Sequence, residues 1–277
     1  MGRLFGTDGV RGVANKDLTN ELAMKIGMAA AEILLKRAGD QRPTVMIGRD
    51  TRASGDMLEA ALTAGFCSVG VNVLSVGVVP TPAIAYLVGK YGCEAGVMIS
   101  ASHNPCEYNG IKIFQSTGYK LPDSVEDEIE AIILDSPDQI ELKTGGDVGR
   151  RTYCKTAVED YIEHIVSVSE VSFDGLNIAI DTANGSASVC AKEIFTRLGA
   201  KCHMLSDTPN GVNINLNCGS THMEELAEFV KANKLDLGIA FDGDADRMLA
   251  VDENGEIVDG DKVIAICATQ MLSLIHI

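Results

Sequence analysis

The spacing of hydrophobic positions predicts helices that alternate with short buried strands. Apolar residues recur at helical spacing over residues 19–37, and Gly39 follows as a stop signal. The next apolar run, residues 44–48, is short and rich in β-branched side chains, as is typical of a buried strand. Further helices are predicted over 54–69 and 81–89, and further strands over 71–76, 96–100 and 111–114. The glycine-rich opening dozen residues are predicted to form a loop.

The same pattern returns in the second half of the chain. The run LNIAI (176–180) matches TVMIG (44–48), and each run leads into an Asp-Thr pair, Asp50-Thr51 and Asp181-Thr182. In each copy a helix, a glycine turn and a second strand follow. The sequence therefore predicts an α/β fold of two repeated three-layer α/β units with mainly parallel sheets, plus the start of a third. We expect domains at residues 1–150, 151–256 and 257–277.

Composition narrows the choice of partners and compartment. The 277 residues carry a net charge of −16, which argues against nucleic acid or an anionic membrane surface as a partner. The eight cysteines include no C-x-x-C pair and are expected to be reduced thiols. No signal peptide begins the chain, and Pro80 and Pro82 interrupt its most apolar stretch. We expect a soluble, cytoplasmic protein without a membrane segment.

An acidic loop follows the third strand of the second unit. Asp242, Asp244 and Asp246 alternate with small residues, and three carboxylates this close repel one another unless a cation offsets their charge. Hard oxygen ligands suit Mg²⁺ or Ca²⁺. An EF-hand is disfavoured because Arg247 stands where its sharp turn requires glycine. A solvated acidic turn without an ion remains the alternative, and Arg247 beside a cation would suit a phosphate.

A serine loop occupies the equivalent place in the first unit. Ser102 follows the third strand, and ligands of open α/β sheets bind at the carboxyl ends of strands. If the two units pack side by side, the serine loop and the acidic loop can face one cleft. A hydroxyl beside a metal and an arginine suggests a covalently held phosphoryl group, although a lone loop serine is more commonly a turn residue. Lys112, on the next strand, is either an acid/base or phosphate ligand or a solvated lysine.

Two further segments carry candidate phosphate ligands. Residues 6–12 form a glycine-rich loop with Arg11, without the spacing of a P-loop, so a plain turn is the alternative. Arg49 and Arg52 lie at the end of the first strand, where a phosphate would lie.

Four motifs in this order resemble the α-D-phosphohexomutase superfamily over residues 2–270. They are FGTDGVRG, GRDTR, ISASHNPCEYNGIKIF and AFDGDADRMLAVDENGEIVDGD. Within the superfamily, ISASHNP and INLNCGSTH (214–222) are most similar to the bacterial phosphoglucosamine mutase branch rather than to phosphomannomutase or phosphoglucomutase.

The resemblance implies a role for each candidate residue. Ser102 would be the phosphoserine, and one Mg²⁺ would be held by Asp242, Asp244, Asp246 and a phosphate oxygen on Ser102. Arg247 and Arg49 would bind phosphate, Lys112 and His103 would be candidates for proton transfer, and Arg11 would line the site.

The resemblance also implies a reaction and its partners. Glucosamine 6-phosphate and glucosamine 1-phosphate would interconvert through a 1,6-bisphosphate, which also serves as activator, for cell-wall precursor synthesis. The substrate would be a hexosamine phosphate, and the resemblance allows a homodimer of the complete enzyme. The alternatives are a phosphomannomutase or phosphoglucomutase, a phosphate-monoester hydrolase with the same serine and metal, and a sugar-phosphate-binding fragment without turnover.

The superfamily has four domains, and this sequence reaches only the start of the third. We therefore expect an N-terminal fragment that is inactive alone, with a loosely docked helix over residues 262–271. The last six residues, LSLIHI, are the peptide that the transposon end used in sequencing libraries encodes when it is translated in frame. We therefore expect them to be non-native. An ordinary continuation of the helix is the alternative.

Overall fold

The structure, a computed structural model, describes residues 3–39 and 41–275. Strands and helices alternate along these residues, as the sequence predicts. In chain order they are β1 (Val10–Val13), α1 (Asn20–Ala38), β2 (Thr44–Arg49), α2 (Ser54–Ser68), β3 (Asn72–Val78), α3 (Thr81–Lys90), β4 (Ala95–Ile99), β5 (Tyr108–Gln115), α4 (Asp123–Asp135), β6 (Arg151–Tyr153), α5 (Ala157–Val168), β7 (Asn177–Asp181), α6 (Ala191–Arg197), β8 (Lys201–Leu205), α7 (Glu224–Asn233), β9 (Leu237–Phe241), β10 (Met248–Val251), β11 (Ile257–Val258) and α8 (Gly260–Ile275).

Two sheets with the same strand order confirm the internal repeat. The first sheet runs β1-β5-β4-β2-β3-β6 and the second runs β11-β10-β9-β7-β8. The central order β5-β4-β2-β3 of the first unit (β1–β6) therefore recurs as β10-β9-β7-β8 in the second unit (β7–β11). Strand β6, just past the expected boundary at residue 150, pairs with β3 in the first sheet.

Both sheets are parallel at their centre and antiparallel at one edge. Strand β2 pairs in parallel with β3 and β4, whereas β5 runs antiparallel to β4, and β10 runs antiparallel to β9. The expectation of mainly parallel sheets thus needs correction at these edges. The connections β4–β5 and β9–β10 are too short to hold the crossover helix that a parallel pairing requires.

The opening residues do not form only a loop. Val10–Val13 forms β1, which pairs antiparallel with β5 and brings Arg11 opposite Gly110. The prediction of a loop was wrong here because a four-residue strand that follows Gly9 and contains Gly12 has too few side chains to show a period of its own.

Each sheet lies between two helical layers. In β2, Val45 and Ile47 pack in the apolar core under α1 and α2, while Met46 packs in the core on the opposite face, under α3. Successive side chains of a strand point to opposite faces, so a strand buried on both faces is apolar throughout. In the second unit, α6 and α7 cover the two faces of the sheet.

One apolar cluster joins the two units. Ile84 of α3 belongs to the same buried cluster as Tyr161 and Ile162 of α5 and as Cys190 and Ile194 beside and within α6. This shared core fixes one sheet relative to the other. The carboxyl ends of β4 and β9 consequently lie side by side, which places the site.

The last helix has few partners among the described residues. It contacts β10, while the apolar side chains of Ile264, Ile266, Met271 and Leu272 are exposed. This agrees with the expected loose docking. Residues 276–277 of the terminal hexapeptide lie outside the described residues. No helix within the described residues is long and apolar enough to cross a membrane.

A buried carboxylate anchors the segment that leads into β1. Glu130 of α4 accepts hydrogen bonds from the backbone N–H groups of Arg3 (2.7 Å), Leu4 (2.6 Å) and Phe5 (2.5 Å). Burial raises the pKa of Glu130, but these three N–H groups outweigh it and hold the pKa below its ordinary value. Glu130 therefore ties the arm that carries Arg11 to the body of the first unit.

We expect Glu130→Gln to lower the free energy of unfolding by about 1.5–3 kcal/mol, the range for hydrogen bonds to a charged group. The amide keeps the size of the side chain but removes the charge and one acceptor oxygen, which leaves buried N–H groups unsatisfied. Urea unfolding at neutral pH measures the difference.

Glu128→Gln is the matched control, because exposed Glu128 lies 3.8 Å from exposed Arg37 and contributes little. The lowered pKa of folded Glu130 means that its contribution is present above the unfolded value of about 4.3 and is lost as pH falls below it. The gap between the unsubstituted and Glu130→Gln chains should close over that range. Equal losses in the two variants at neutral pH would contradict the anchoring role.

Candidate active site

The serine loop (101–105) begins where β4 ends. Ser102 is buried and adopts the left-handed conformation, with φ of 53°, which few non-glycine residues take up. Its N–H donates to Ser100 Oγ at 2.9 Å, and Ser100 Oγ donates to Asp50 Oδ2 at 2.6 Å. Asp50, the aspartate of the first Asp-Thr pair, thus holds the start of the loop.

A fully buried arginine holds the rest of the serine loop. Arg52 pairs with Asp50 at 2.9 Å, and both side chains are inaccessible to solvent. Its Nη2 donates to the carbonyl oxygens of Ser102 and Asn104, each at 2.8 Å, and its Nη1 donates to that of Pro105. The sequence suggested a phosphate near Arg52, but the structure engages its guanidinium with Asp50 and with the backbone of the loop.

The acidic loop (242–247) begins where β9 ends. One carboxylate oxygen each from Asp242, Asp244 and Asp246 lies within 4.8 Å of the others. Asp242 and Asp244 are buried, and Asp244 Oδ1 has no hydrogen-bond partner. Burial and the charges of Asp242 and Asp246 raise the pKa of Asp244 to about 7. An orphaned buried oxygen within a cluster of hard oxygen donors fits a divalent cation such as Mg²⁺.

The two loops touch across the boundary between the units. Ser102 Oγ donates to Asp242 Oδ2 at 2.6 Å. The backbone at Gly243 lies so close that a Cβ there would be 2.7 Å from the carbonyl oxygen of Ser102. From the second unit, Asn215 Nδ2 donates to the carbonyl oxygens of Ser102 (2.8 Å) and Asn104 (3.0 Å). The structure thus brings the serine and the acidic cluster together.

Arg247 connects the nucleophile candidate to its neighbours. Its Nη2 donates to Ser102 Oγ, to Asp242 Oδ2 at 2.8 Å and to His103 Nδ1 at 2.8 Å. Because His103 Nδ1 accepts, the proton of the neutral ring lies on Nε2. Lys112 Nζ lies 3.8 Å from Asp246 Oδ2, at the rim of the same cluster.

Two of the predicted site residues make their contacts elsewhere. Arg11 lies 3.5 Å from Asp8, and its Nε is buried without a partner. Arg49 Nη2 lies 2.5 Å from Asp56, and Arg49 Nε lies 3.1 Å from Glu59. In the described contacts neither guanidinium touches the serine or acidic loop, so their roles stay predictions.

The sequence analysis missed three residues that shape the site. Arg52 was noted only as a candidate phosphate ligand, and Asn215 only as part of a motif of resemblance. Thr81, at the start of α3, donates to Asp244 Oδ2 at 2.6 Å and was not noted at all. The buried Asp50–Arg52 pair had a local signal in GRDTR, whereas Asn215 and Thr81 act across the boundary between the units and carry no local signal.

Comparisons with known proteins match both units. The model of phosphoglucomutase/phosphomannomutase, alpha/beta/alpha domain I, matches residues 2–139, and that of domain II matches residues 159–255. The chain is 54% identical over 271 residues to the phosphoglucosamine mutase of Clostridium novyi. That alignment covers 98% of this chain and 60% of the clostridial protein. It is 54% identical over 267 residues to the phosphoglucosamine mutase of Clostridium acetobutylicum, covering 96% and 59%.

A solved structure is similar over the same extent. A phosphoglucomutase/phosphomannomutase family protein from Burkholderia thailandensis aligns with a TM-score of 0.82 and 29% identity, covering 98% of this chain and 59% of that one. The chain thus spans about 60% of the length of the curated relatives described above.

We expect Arg52→Met to lower the free energy of unfolding by about 3–5 kcal/mol, the cost of removing one partner of a buried ion pair. The substitution leaves Asp50 buried without its cation and removes one donor from each of three carbonyl oxygens of the serine loop. Urea unfolding measures the loss, and hydrogen exchange of residues 101–105 measures the local loosening.

Arg42→Met is the matched control. Arg42 also donates to two carbonyl oxygens, those of Gly146 (3.1 Å) and Val148 (3.3 Å), but it is exposed. Its substitution should change the free energy of unfolding by no more than about 1 kcal/mol. The role assigned to Arg52 fails if its variant behaves like the Arg42 variant in both measurements.

Proposed function

The chain belongs to the phosphoglucomutase/phosphomannomutase family, and on that premise we propose that Ser102 carries the phosphoryl group in a hexosamine-phosphate mutase. The proposed reaction interconverts glucosamine 6-phosphate and glucosamine 1-phosphate through a 1,6-bisphosphate, as a source of cell-wall precursors. One observation carries the proposal: Ser102 Oγ lies between a carboxylate, Asp242, and a guanidinium, Arg247, at the junction of the two units. The glucosamine preference rests on the identity to the two clostridial phosphoglucosamine mutases.

In the proposed cycle, phosphorylated Ser102 gives its phosphoryl group to the free hydroxyl of the sugar phosphate. The P–O bond to Ser102 breaks, a P–O bond to the sugar forms, and the hydroxyl proton passes to a base. The 1,6-bisphosphate then returns its other phosphoryl group to Ser102 Oγ, and the sugar oxygen released takes up a proton. The bisphosphate also serves as the activator that phosphorylates Ser102 initially.

Arg247 is suited to hold the phosphoryl group on Ser102. Its Nη2 already contacts the serine oxygen, and a guanidinium donates several hydrogen bonds in the geometry that phosphate accepts. The side chain is about half exposed, so it can follow the group as it moves. Arg11 and Arg49 remain candidate phosphate ligands within the proposal.

The acidic loop would hold one divalent cation, Mg²⁺, with Asp242, Asp244, Asp246 and a phosphate oxygen on Ser102 as ligands. When bound, the cation would supply positive charge against the negative charge that develops on the transferred phosphoryl group. The orphaned Asp244 Oδ1 and the raised pKa of Asp244 support this assignment, because one oxygen has no partner and burial beside two other carboxylates disfavours the charged form in the absence of a cation.

Lys112 and His103 are the candidates for proton transfer. With Nδ1 engaged by Arg247, the neutral ring of His103 presents an Nε2–H group that can donate a hydrogen bond to a phosphate or sugar oxygen, and His103 can give up a proton only after Nδ1 has left Arg247 and been protonated. Lys112 is mostly buried beside Asp246 and is the candidate for the opposite proton transfer. A cytoplasmic location, in which eight free thiols persist, and a homodimer of the complete enzyme are further parts of the proposal.

We expect the chain, incubated with glucosamine 1,6-bisphosphate and Mg²⁺, to gain one phosphoryl group on Ser102, and the Ser102→Ala chain to gain none. Alanine removes the only hydroxyl between Asp242 and Arg247. Peptide mass spectrometry locates the group.

Ser167→Ala is the matched control, since Ser167 is exposed and bonds only to the carbonyl oxygen of His164 within its own helix. That variant should be labelled like the unsubstituted chain. Label on Ser102→Ala would disprove the assignment. Release of inorganic phosphate without retained label would favour the phosphate-monoester hydrolase instead.

We expect Asp244→Asn to weaken Mg²⁺ binding more than tenfold, because loss of even an outer-sphere partner costs about 10–100-fold. The fold should survive, since the acidic loop lies outside the sheet. Isothermal calorimetry measures the affinity, and Asp207→Asn, which removes an exposed carboxylate of the second unit, is the charge-matched control. Unchanged Mg²⁺ affinity in Asp244→Asn would mean that the cation binds elsewhere.

A further inference from the structure

Thr81 joins the first unit to the acidic loop of the second by two hydrogen bonds to one residue. Its backbone N–H donates to the carbonyl oxygen of Asp244 at 2.9 Å, and its Oγ1 donates to Asp244 Oδ2 at 2.6 Å. The two residues are 163 positions apart in the chain, and both are buried. Thr81, on a helix of the first unit, therefore holds both the backbone and the side chain of Asp244 in the acidic loop.

The position of Thr81 in α3 makes both bonds available. It is the first residue of the helix, between Pro80 and Pro82, and the N–H groups of a first helical turn have no acceptor within the helix. Helix α3 packs against β4, the strand that leads into the serine loop. The bonds from Thr81 thus reach the acidic loop from a rigid element of the first unit.

The hydroxyl of Thr81 makes the two carboxylate oxygens of Asp244 unequal. Oδ2 accepts from Thr81, whereas Oδ1 is buried and has no partner among the described residues. A carboxylate held at one oxygen keeps its plane, so the direction of the second oxygen is fixed as well. Oδ1 is then the oxygen left to a cation.

We propose that Thr81 is a positioning residue for the divalent cation: it holds Asp244 Oδ2 so that Oδ1 is aimed as a ligand. This inference rests on the proposed cation site and goes beyond it, because it makes the site depend on a residue of the other unit that is not itself a ligand. Residues that orient metal ligands typically matter to affinity almost as much as the ligands do.

The test measures Mn²⁺ binding to the 277-residue chain by electron paramagnetic resonance of the free ion, with Mn²⁺ as the probe for a site of oxygen ligands. Thr81→Val keeps the shape of the side chain and removes only the hydroxyl. We expect it to weaken Mn²⁺ binding about 10–100-fold. Thr81→Ser restores the donor, and we expect it to bind Mn²⁺ nearly as well as the unsubstituted chain.

Thr51→Val is the matched control for the boundary between the units. Thr51 Oγ1 also donates across it at 2.6 Å, but to the carbonyl oxygen of Asn184 and not to the acidic loop. Its substitution removes a comparable bond and should leave Mn²⁺ affinity unchanged. Circular dichroism of each variant reports whether the chain is folded, and the Thr81→Ser rescue decides the case if the valine variant folds poorly.

The outcomes separate this inference from the proposal on which it rests. If the unsubstituted chain binds Mn²⁺ and Thr81→Val binds it equally well, Thr81 has no positioning role while the cation site stands. Equal losses in Thr81→Val and Thr51→Val, or failure of serine to rescue, would also overturn the inference, since the effect would then come from the boundary as a whole. If the unsubstituted chain binds no Mn²⁺, the cation site and the role of Thr81 fall together.

Discussion

The site depends on the close approach of two backbone loops that leave different sheets. Gly243 permits it, because any side chain there would collide with the carbonyl oxygen of Ser102. The apolar cluster that joins α3, α5 and α6 holds the two sheets at the distance that this contact requires. Protein interiors are close-packed, so a change of volume at Ile84 or Ile194 would shift one loop against the other. Ser102 and the acidic cluster lie together only because the two units pack on this one apolar core.

Charge is distributed around the junction in two separate sets. The Asp50–Arg52 pair is inaccessible to solvent, and the remaining N–H groups of Arg52 donate to backbone carbonyl oxygens. The pair therefore stabilises the serine loop without adding net charge. The acidic loop has three carboxylates, and Arg247 and Lys112 are the close cations among the residues that the structure describes. Burial, together with that imbalance, raises the pKa of Asp244. The proposed cation site rests on this excess of negative charge at the end of a strand.

The internal repeat shows how one architecture yields two different loops. Asp50 directly follows β2 and Asp181 ends β7, and each accepts from the N–H two residues further on, that of Arg52 (3.0 Å) or Ala183 (2.8 Å). The donors to the second carboxylate oxygen differ between the two units. Asp50 Oδ2 accepts from the side chains of Ser100 and Arg52, whereas Asp181 Oδ2 accepts from the N–H of Gly219. The repeated turn thus holds a neighbouring loop segment in each unit. The chemistry lies in what each loop carries, a hydroxyl in one and carboxylates in the other.

The sequence by itself determined most of the helices and strands, the repeat and the two loops of the candidate site. Helical spacing before Gly39, the matching Asp-Thr pairs and the alternation of Asp242, Asp244 and Asp246 are local patterns, and local spacing decides what a short segment can form. The tertiary structure alone decided that β5 and β10 run antiparallel, that β1 exists, that Arg52 faces the backbone, and that Asn215 and Thr81 hold loops of the opposite unit. These contacts join residues far apart in the chain, and their geometry follows from how two cores pack against each other. No spacing within one segment encodes that packing.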